Sequence, residues 1–566
     1  MKNKTQIQLI ACITLLSPLF SPGQNAHIPA DKKMQMHHET LGDPYLPNAY
    51  NNKKTSPAYK HKVSGASKVM TGSTCFTTQV NVDASGQNIL GDAANEPNIA
   101  VNPVNKNEMV IGWRQFDNVT SNFRQAGWSY TSDSGQSWTF PGVIEPGVFR
   151  SDPVLDFDAN GNFYYNSLTN TPNYFCKVFK SINGGVAWDN GTDAAGGDKQ
   201  WMAIDRTTGV GSGNIYSFWS SFNSSCPPGF FTRSTNGNSS YENCTEVDGY
   251  PALGTMAVGI AGELFIAGIG GLDSISVAKS LNAQIPASLI SWNLPVSVFM
   301  DGNISSSSIN PQGLQGQVNI DVDISSGLGQ DNVYVLASMA RSSSFDPCDV
   351  MFARSTDGGL TWSTPIQIND DGSQFNTQWF GTMSVAPDGR IDAVWLDTRD
   401  DLFGLDSSAL YYSYSHDEGN TWSVNEKLSD NFDPHTGYPM QQKMGDYFDM
   451  ISDSTGAHLA WANTLNGEQD VYYSHIIPPV NTAVNEISNN ATISIYPNPT
   501  GGLFVIKGLA RQSQIEIYNV MGEKIYSTTI FKTKSEIDIS PQPAGIYFLK
   551  IVNQNGSTVV KKIIKE

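Results

Sequence analysis

An octapeptide of the pattern Ser/Thr-x-Asp/Asn-x-Gly-x-x-Trp recurs along the chain and constrains its fold more than any other feature. Four copies, TSDSGQSW, SINGGVAW, STDGGLTW and SHDEGNTW, stand at residues 131–138, 181–188, 355–362 and 415–422, and a degenerate fifth copy, STNGNSSY, stands at 234–241. The hydroxyl and the Asp or Asn side chain can accept hydrogen bonds from turn N–H groups, and the glycine supplies a positive φ. The pattern predicts a repeated β-hairpin turn and therefore a repeat architecture.

A second repeat lies between the octapeptides, from about residue 72 to residue 477. Each unit has two strand-like segments joined by a polar or glycine turn, and the second segment often ends in tryptophan. Seven units begin near residues 98, 154, 202, 255, 318, 382 and 448. If each unit supplies two strands and the octapeptide hairpin supplies two more, each repeat is a four-stranded blade. The interval of about 48 to 68 residues is typical of such blades.

The last unit is incomplete, and its completion predicts how the repeats close. Residues 470–476 resemble a third strand, but Pro478 and Pro479 follow where an octapeptide would be expected. The segment 77–83 has strand character and precedes the first unit. We predict that it supplies the missing fourth strand, because closure removes exposed sheet edges. The fourth unit also lacks a clear octapeptide, and Ser280-Leu281-Asn282 is interpreted as its remnant.

The octapeptides resemble the Asp-box, or BNR repeat, of sialidases and other Asp-box propellers. The resemblance implies an all-β protein with a seven-bladed propeller, or a six-bladed one as is usual in sialidases. It places each box at the turn between the third and fourth strands of a blade, away from the substrate. Asp133, Asn183, Asp357 and Asp417 are accordingly predicted to be structural turn residues.

The same resemblance implies that ligands bind at one mouth of the central channel, around the starts of first strands and the loops after second strands. The charged and tyrosine residues at these places are Glu96, Arg114, Arg150, Asp152, Asp198, Asp397, Arg399, Asp446 and Tyr447. Sialidases use a tyrosine nucleophile with an acidic partner, so the catalytic candidates are Tyr447 with Glu96 or Asp446. The other six are candidates for substrate binding, since arginine can bind a carboxylate such as that of sialic acid through two hydrogen bonds. We expect Arg114, Asp397, Arg399 and Tyr447 on one face, near Glu96, Asp152 and Asp198.

These positions also suit a structural role, because polar residues at strand starts can tie neighbouring blades together. The Phe-Arg-Ile-Pro motif that carries the first arginine of the sialic-acid site in sialidases is absent, and Asn95-Glu96-Pro97-Asn98 stands at the first strand instead. Two functions therefore stay open. One is non-catalytic binding of extracellular glycans or other polymers, and the other is an exo-glycosidase activity of the sialidase type. No cofactor is predicted, and a structural Ca²⁺ ion is left open.

Beyond a linker at 478–491, residues 492–566 form alternating strand-like segments with Gly and Pro turns, which predict a small β-sandwich. The segment resembles the C-terminal sorting domain of type IX secretion in Bacteroidetes through Tyr496-Pro497-Asn498-Pro499, Gly522, Gly545-Ile546-Tyr547 and Lys561-Lys562. The resemblance implies passage across the outer membrane and contact with the type IX machinery. The alternative is an ordinary carbohydrate-binding or adhesion sandwich.

The N-terminus and the composition indicate an exported protein. Lys2 and Lys4 precede an apolar run at 7–20, so residues 1–26 are predicted to be a signal peptide and 27–71 a disordered leader. The formal net charge of −19 argues against a nucleic-acid partner. Export permits disulfides, and Cys226 and Cys244 flank the degenerate octapeptide as a candidate pair. No transmembrane helix is predicted, and the expected location is the outer cell surface or the medium.

Overall fold

The computed structural model describes residues 54–63, 72–170, 174–271, 274–304, 308–344, 346–479, 493–509, 512–553 and 558–566. The predicted signal peptide and most of the predicted linker lie outside these residues. The chain divides into two compact units, Met1–Pro479 and Val480–Glu566.

Almost all regular structure in the first unit is antiparallel β-sheet. Four strands precede the first complete sheet: β1 (Thr55–Pro57), β2 (Lys60–Val63), β3 (Thr74–Gln79) and β4 (Gln87–Ile89). The first sheet contains β5 (Ala93–Val101), β6 (Met109–Phe116), β7 (Gln125–Thr131) and β8 (Thr139–Ile144). The second contains β9 (Ser151–Phe157), β10 (Phe163–Thr169), β11 (Phe175–Ser181) and β12 (Thr192–Ala194). The third contains β13 (Trp201–Ile204), β14 (Ile215–Phe218) and β15 (Phe231–Ser234).

The remaining sheets of this unit repeat the same order. The fourth contains β16 (Met256–Val258), β17 (Leu264–Gly271), β18 (Ser274–Ser280) and β19 (Val296–Phe299). The fifth contains β20 (Gly302–Asn303), β21 (Asn319–Val322), β22 (Val333–Arg341), β23 (Asp349–Ser355) and β24 (Ile366–Gln367), and both β20 and β21 pair with β22. The sixth contains β25 (Gln378–Val385), β26 (Ile391–Asp397), β27 (Ala409–Ser415) and β28 (Glu426–Lys427). The seventh contains β29 (Asp449–Asp453), β30 (Gly456–Asn463) and β31 (Asp470–Ile477), followed by β3 and β2.

The inner strands of these sheets form a closed ring. Strands β5, β9, β13, β16, β21, β25 and β29 contact one another in this order, and β29 contacts β5. Successive sheets bury large side chains between them, among them the second-strand tryptophans Trp113, Trp219, Trp395 and Trp461. The unit is therefore a β-propeller, as the repeat pattern predicted. Its described residues contain seven sheets that form the ring, besides a two-stranded sheet of β1 and β4.

The ring is closed by the N-terminal end of the chain. Strand β3 pairs with β31, and the hydroxyl groups of Thr77 and Ser474 lie 2.7 Å apart. The closing strand spans Thr74–Gln79 and thus begins three residues before the predicted segment 77–83. The prediction of a disordered leader through residue 71 was wrong for β1 and β2. Strand β2 adds a fifth strand to the seventh sheet, where the Tyr59 ring meets the edge of Tyr472 at 5.8 Å.

Each complete octapeptide forms a turn between the third and fourth strands, and its own side chains hold that turn. In the copy at 355–362, the Asp357 carboxylate accepts hydrogen bonds from the Thr361 N–H at 2.8 Å and from the Thr361 hydroxyl at 2.6 Å. The Ser355 hydroxyl accepts the Gly359 N–H at 2.8 Å. The two bonds from Thr361 are the main cause that lowers the pKa of Asp357 to about 2. Asp133 and Asp417 make equivalent bonds, so the predicted turn geometry is present.

The exceptions to the consensus have local explanations. The Asn183 side-chain oxygen accepts the Ala187 N–H at 3.1 Å. Position 187 is alanine, where the other complete copies have a serine or threonine hydroxyl, so the second oxygen of an aspartate would have no hydroxyl hydrogen bond to accept here. In the degenerate copy, Asn238 replaces the glycine with a φ of 75°, and its amide donates to the Val178 carbonyl of the second sheet at 2.9 Å. Asparagine tolerates left-handed φ better than most residues. In the fourth sheet, the Asn282 side chain accepts the Ser291 N–H at 2.9 Å across an insertion.

The third sheet departs most from the predicted four strands. It has three strands, and the segment after β15 contributes an isolated bridge between Phe231 and Thr245. A disulfide joins Cys226 to Cys244 beside this bridge, with Cα atoms 6.4 Å apart. Among the described residues, the free cysteines are Cys75, Cys176 and Cys348, and all three are buried.

The second unit contains two antiparallel sheets. Its strands are β32 (Ser494–Tyr496), β33 (Leu503–Lys507), β34 (Ser513–Asn519), β35 (Lys524–Ile530), β36 (Lys534–Asp538), β37 (Gly545–Asn553) and β38 (Thr558–Lys565). One sheet has the order β32-β33-β36, and the other has the order β35-β34-β37-β38. They share a core that includes Phe504, Ile517, Leu549, Ile551 and Ile563. This is the predicted small β-sandwich.

Candidate functional site at the propeller axis

A residue with left-handed backbone geometry stands near the start of every inner strand, either within its first four residues or shortly before it. These residues are Glu96, Asp152, Lys199, Leu253, Gly316, Phe380 and Gly445, with φ angles of 50°, 47°, 58°, 55°, 128°, 56° and 102°. Five of the seven are not glycine, although this geometry costs about 1–3 kcal/mol at a non-glycine residue. Their recurrence at one structural position indicates that the ring itself imposes the conformation.

In three sheets this geometry belongs to a β-bulge. Glu96 and Pro97 together stand opposite Trp113, because the register jumps between Asn95 and Asn98. The second and sixth sheets have the same two-against-one arrangement at their inner strands. Proline fits a bulge because it has no N–H group to donate. The bulge also re-aims the neighbouring side chain, which explains why Glu-Pro and Asp-Pro recur at strand starts.

Six buried charged side chains meet at the axis in one chain of alternating sign, which we call the axial cluster. Its order is Asp152, Lys199, Asp446, Lys443, Glu96 and Arg114. Lys199 Nζ lies 3.2 Å from Asp152 Oδ2 and 2.7 Å from Asp446 Oδ2. Lys443 Nζ lies 2.5 Å from Asp446 Oδ2 and 3.0 Å from Glu96 Oε1. Arg114 Nε lies 3.1 Å from Glu96 Oε2.

The cluster crosses the ring. Glu96 and Arg114 belong to the first sheet and Asp152 to the second, while Lys199 precedes the third and Asp446 precedes the seventh. Asp198 extends the cluster at the Lys199 end, 3.4 Å from Nζ, and its side chain is 18% exposed. The structure thus brings together five of the predicted site residues: Glu96, Arg114, Asp152, Asp198 and Asp446.

The electrostatics of the cluster favour ion pairs, with Glu96 as the exception. Burial opposes ionisation of Asp152 and Asp446, but Lys199 lowers the pKa of both carboxyl groups well below the usual range. Burial also opposes the charge on Lys199, yet Asp152 and Asp446 raise its pKa. For Glu96, burial outweighs Arg114 and Lys443 and raises its pKa to about 7. Glu96 is therefore the one carboxyl group of the cluster that gains or loses its proton near neutral pH.

Tyr447 lies beside the cluster but is not a free phenol. It is 2% exposed, and its hydroxyl donates to the Pro153 carbonyl at 2.9 Å. Its ring meets the Trp201 ring edge-on at 5.5 Å. Burial raises the pKa of Tyr447 well above its ordinary value, and Glu96 and Asp152 reinforce the shift. The side chain thereby joins the seventh sheet to the second and third.

Arg150, Asp397 and Arg399 have contacts elsewhere. Arg150 pairs with Glu145 and donates to the Ser167 carbonyl at 3.2 Å. Arg399 pairs with Asp397 at 2.8 Å and Asp370 at 2.6 Å, and its guanidinium lies 4.4 Å from the centre of the Tyr411 ring. The Trp395 indole also donates to Asp397 at 2.8 Å. None of these contacts reaches the axial cluster, so they do not group Arg399 with Arg114 and Tyr447 as expected from the sequence.

Two lysines of the cluster were missed as site candidates. Lys199 stands two residues before β13, near the start of an inner strand as Glu96 and Asp152 do, so its spacing could have identified it. Lys443 lies in the long connection between β28 and β29, where strand register gives no guidance. Its role depends on contacts with Glu96, far away in the sequence.

The arrangement is suited to bracing the ring more than to holding a substrate. Three acidic and three basic side chains pair with one another, and each is at most 6% exposed at its side chain. The adjoining space along the axis, lined by Trp201, Gln317, Phe380 and Tyr447 among others, is too narrow for a water-sized molecule. Within the described residues, no group of three or more His, Cys, Asp or Glu side chains is arranged to hold a metal ion.

Comparison with known proteins identifies the second unit. Residues 494–566 match the family model described as "Secretion system C-terminal sorting domain". This unit is a sorting domain. It indicates export by the type IX system to the cell surface or the medium. In the described part of the chain, no helix is long and apolar enough to cross a membrane.

The propeller resembles solved structures only distantly. A protein of unknown function from Dyadobacter fermentans is 13% identical, with 71% of this chain and 98% of that chain covered and a TM-score of 0.41. The NanB sialidase from Streptococcus pneumoniae is 10% identical over 71% and 70%, with a TM-score of 0.34. PorZ from Porphyromonas gingivalis, a surface component of the type IX system, is 12% identical over 87% and 74%, with a TM-score of 0.27. No curated protein sequence matches the chain.

Proposed function

We propose that the propeller is a non-catalytic binding module for extracellular glycans or other polymers, presented at the cell surface or in the medium after export. The observation that carries this proposal is the pairing within the axial cluster. Each of its six charged groups already has an oppositely charged partner inside the protein. A substrate entering at this point would leave buried charges without partners, which typically costs about 3–5 kcal/mol for each broken pair.

We also assign the octapeptide turns to the Asp-box repeat. The support is their position between third and fourth strands and the use of their carboxylates within their own turns. Under this assignment Asp133, Asn183, Asp357 and Asp417 hold hairpins and take no part in ligand binding.

An exo-glycosidase of the sialidase type is the second candidate, and one observation favours it. Glu96 has a pKa of about 7, which is the range for a general acid at neutral pH, and Asp446 and Tyr447 are nearby. The hydrogen bond from Tyr447 to Pro153 argues against it, because a nucleophile must be free to reach its substrate.

A comparison of hydrolysis and binding tests the two candidates. The full-length protein and its Tyr447→Phe and Glu96→Gln variants are incubated with chromogenic sialosides and neutral glycosides, and each is applied to a glycan array. The binding proposal expects glycan binding by the wild-type protein with no sugar release above that of the variants. Release that Tyr447→Phe abolishes, with the glycan still bound, would establish the enzyme instead.

A further inference from the structure

A surface groove lies between the fourth and fifth sheets, far in sequence from the residues of the axial cluster. Its volume is about 270 Å³. One wall is β19, the outer strand of the fourth sheet, and the other is the segment 362–365 that ends the octapeptide turn of the fifth sheet. This volume is close to the lower end of the range for small-ligand sites, about 300 Å³. The groove is large enough for a sugar ring.

The groove combines aromatic rings with hydroxyl groups and has no charged side chain in its lining. The rings are Phe299 and Trp362, and the hydroxyl groups are those of Ser297, Ser363 and Thr364, while the other three lining residues are valine or proline. Alternate residues of a strand point to the same face, so Ser297 and Phe299 project from β19 together. Phe299 is 57% exposed, so its ring is accessible to a ligand in the groove.

Trp362 differs from the corresponding aromatic residues of the other turns. Trp138, Trp188 and Trp422 contact the rings of Tyr473, Tyr165 and Phe352 at centroid distances of 5.4, 5.7 and 5.2 Å. In the fourth sheet, Trp292 contacts Phe231 at 5.3 Å. Within the described part of the chain, Trp362 has no such ring partner. It is partly buried, packs against the core shared by the fourth and fifth sheets, and also lines the groove.

We propose that this groove binds a neutral glycan, with a sugar ring against Trp362 and Phe299. The inference rests on the proposed binding function and gives that function a site. Serine and threonine hydroxyls can both donate and accept, as sugar hydroxyls do. The Ser363 oxygen already accepts the Arg354 N–H at 3.2 Å, which leaves the hydroxyl hydrogen available to donate. Because no cation lines the groove and the chain carries a formal charge of −19, an anionic glycan is disfavoured.

Affinity electrophoresis of the full-length protein tests this inference. Native gels contain laminarin, mannan, xylan or polysialic acid, and the variants are Phe299→Ala and Thr364→Asp. Both positions are exposed, so neither change removes a buried side chain. Phe403→Ala is the matched control, since Phe403 is 83% exposed and lies outside the groove. We expect retardation by at least one neutral polysaccharide, about three- to tenfold weaker in both groove variants and unchanged in the control.

The possible failures are distinguishable. Retardation by a neutral polysaccharide that persists in both groove variants would overturn the site but leave the binding function standing. Retardation by polysialic acid alone would overturn the assignment to neutral glycans. Absence of retardation by all four polysaccharides would overturn the inference, and binding of a peptide library lost in Phe299→Ala would reassign the groove to polypeptides.

Discussion

The ammonium group of Lys199 lies 2.7 Å from a carboxylate oxygen of Asp446, although the two residues precede the third and seventh inner strands. These strands are not neighbours in the ring, so this ion pair spans the propeller axis. Asp152 and Lys443 extend the pairing on either side. The residues that the sequence suggested for catalysis are therefore the ones that connect the sheets across the centre.

The substitution Glu96→Gln should flatten the pH dependence of stability between about pH 4.5 and pH 7. The pKa of Glu96 is raised from 4.5 to about 7, so in this window the folded protein keeps a proton that the unfolded chain releases. The stability from this proton is complete below pH 4.5 and is lost as the pH rises through 7, a change on the order of 3 kcal/mol. Urea unfolding at several pH values measures it. If the free energy of unfolding changes equally with pH in the wild-type protein and in Glu96→Gln, the raised pKa of Glu96 is contradicted. The variant Glu246→Gln serves as the control, because Glu246 is exposed.

The turn at 355–362 allows a double-mutant cycle. Asp357→Ala should lower the free energy of unfolding by about 1–2 kcal/mol, because it leaves turn donors without an acceptor. The Thr361 hydroxyl donates to the same carboxylate at 2.6 Å. Its removal in Thr361→Ala should therefore reduce the cost of Asp357→Ala by about 1 kcal/mol. Glycan affinity should be unchanged in all four proteins. Additive costs, or lost affinity with unchanged stability, would show that the carboxylate has another role.

Arg399→Ala should destabilise the sixth sheet without affecting ligand binding. The variant leaves Asp397, which is 0% exposed, without its cationic partner. We expect the free energy of unfolding to fall by about 2–3 kcal/mol, since Arg399 itself is partly exposed and the cost is below that of a fully buried pair. Arg399→Lys, which keeps the charge but loses the planar contact with Tyr411, should lose less. A normal melting temperature combined with lost glycan affinity would contradict this prediction and indicate that Arg399 binds the ligand.

Deletion of residues 493–566 should leave a folded propeller in the periplasm. The deleted residues belong to a separate compact unit and match the sorting-domain family. Cell fractionation and proteinase treatment of intact cells measure the location of the protein. Re-attaching residues 480–566 through a Gly/Ser linker should restore surface delivery. Normal delivery of the truncated chain would refute the role of this domain in export.

The repeats made the propeller predictable, because the strands and turns of each blade are determined by short-range sequence patterns. The octapeptide fixes a hairpin through bonds between residues no more than four apart, as at Asp357 and Thr361. The missing octapeptide after β31 predicted the closing strand, although its start at Thr74 was placed three residues late. The β2 strand was missed, because Tyr59, the residue before it, gains its aromatic partner Tyr472 only in the folded ring.

The candidate site was predictable only in part. Register placed Glu96, Asp152 and Asp198 at the axis correctly, since each stands at the start of an inner strand. The left-handed φ angles of Glu96 and Asp152 could not be predicted from the sequence, because this conformation usually occurs at glycine. Register also suggested that Arg399 would resemble Arg114. Its guanidinium instead pairs with Asp397, two residues earlier in the chain, an outcome that depends on side-chain direction.

The stability of Lys199→Met tests the account most directly. If the axial cluster braces the ring, this change leaves Asp152 and Asp446 buried without their shared cation. The free energy of unfolding from urea denaturation at pH 7 should then fall by about 3–5 kcal/mol. Charged residues held for catalysis commonly oppose stability, and their removal tends to increase it. An unchanged or higher free energy of unfolding in Lys199→Met would contradict the structural role of the cluster and favour a substrate site at the axis.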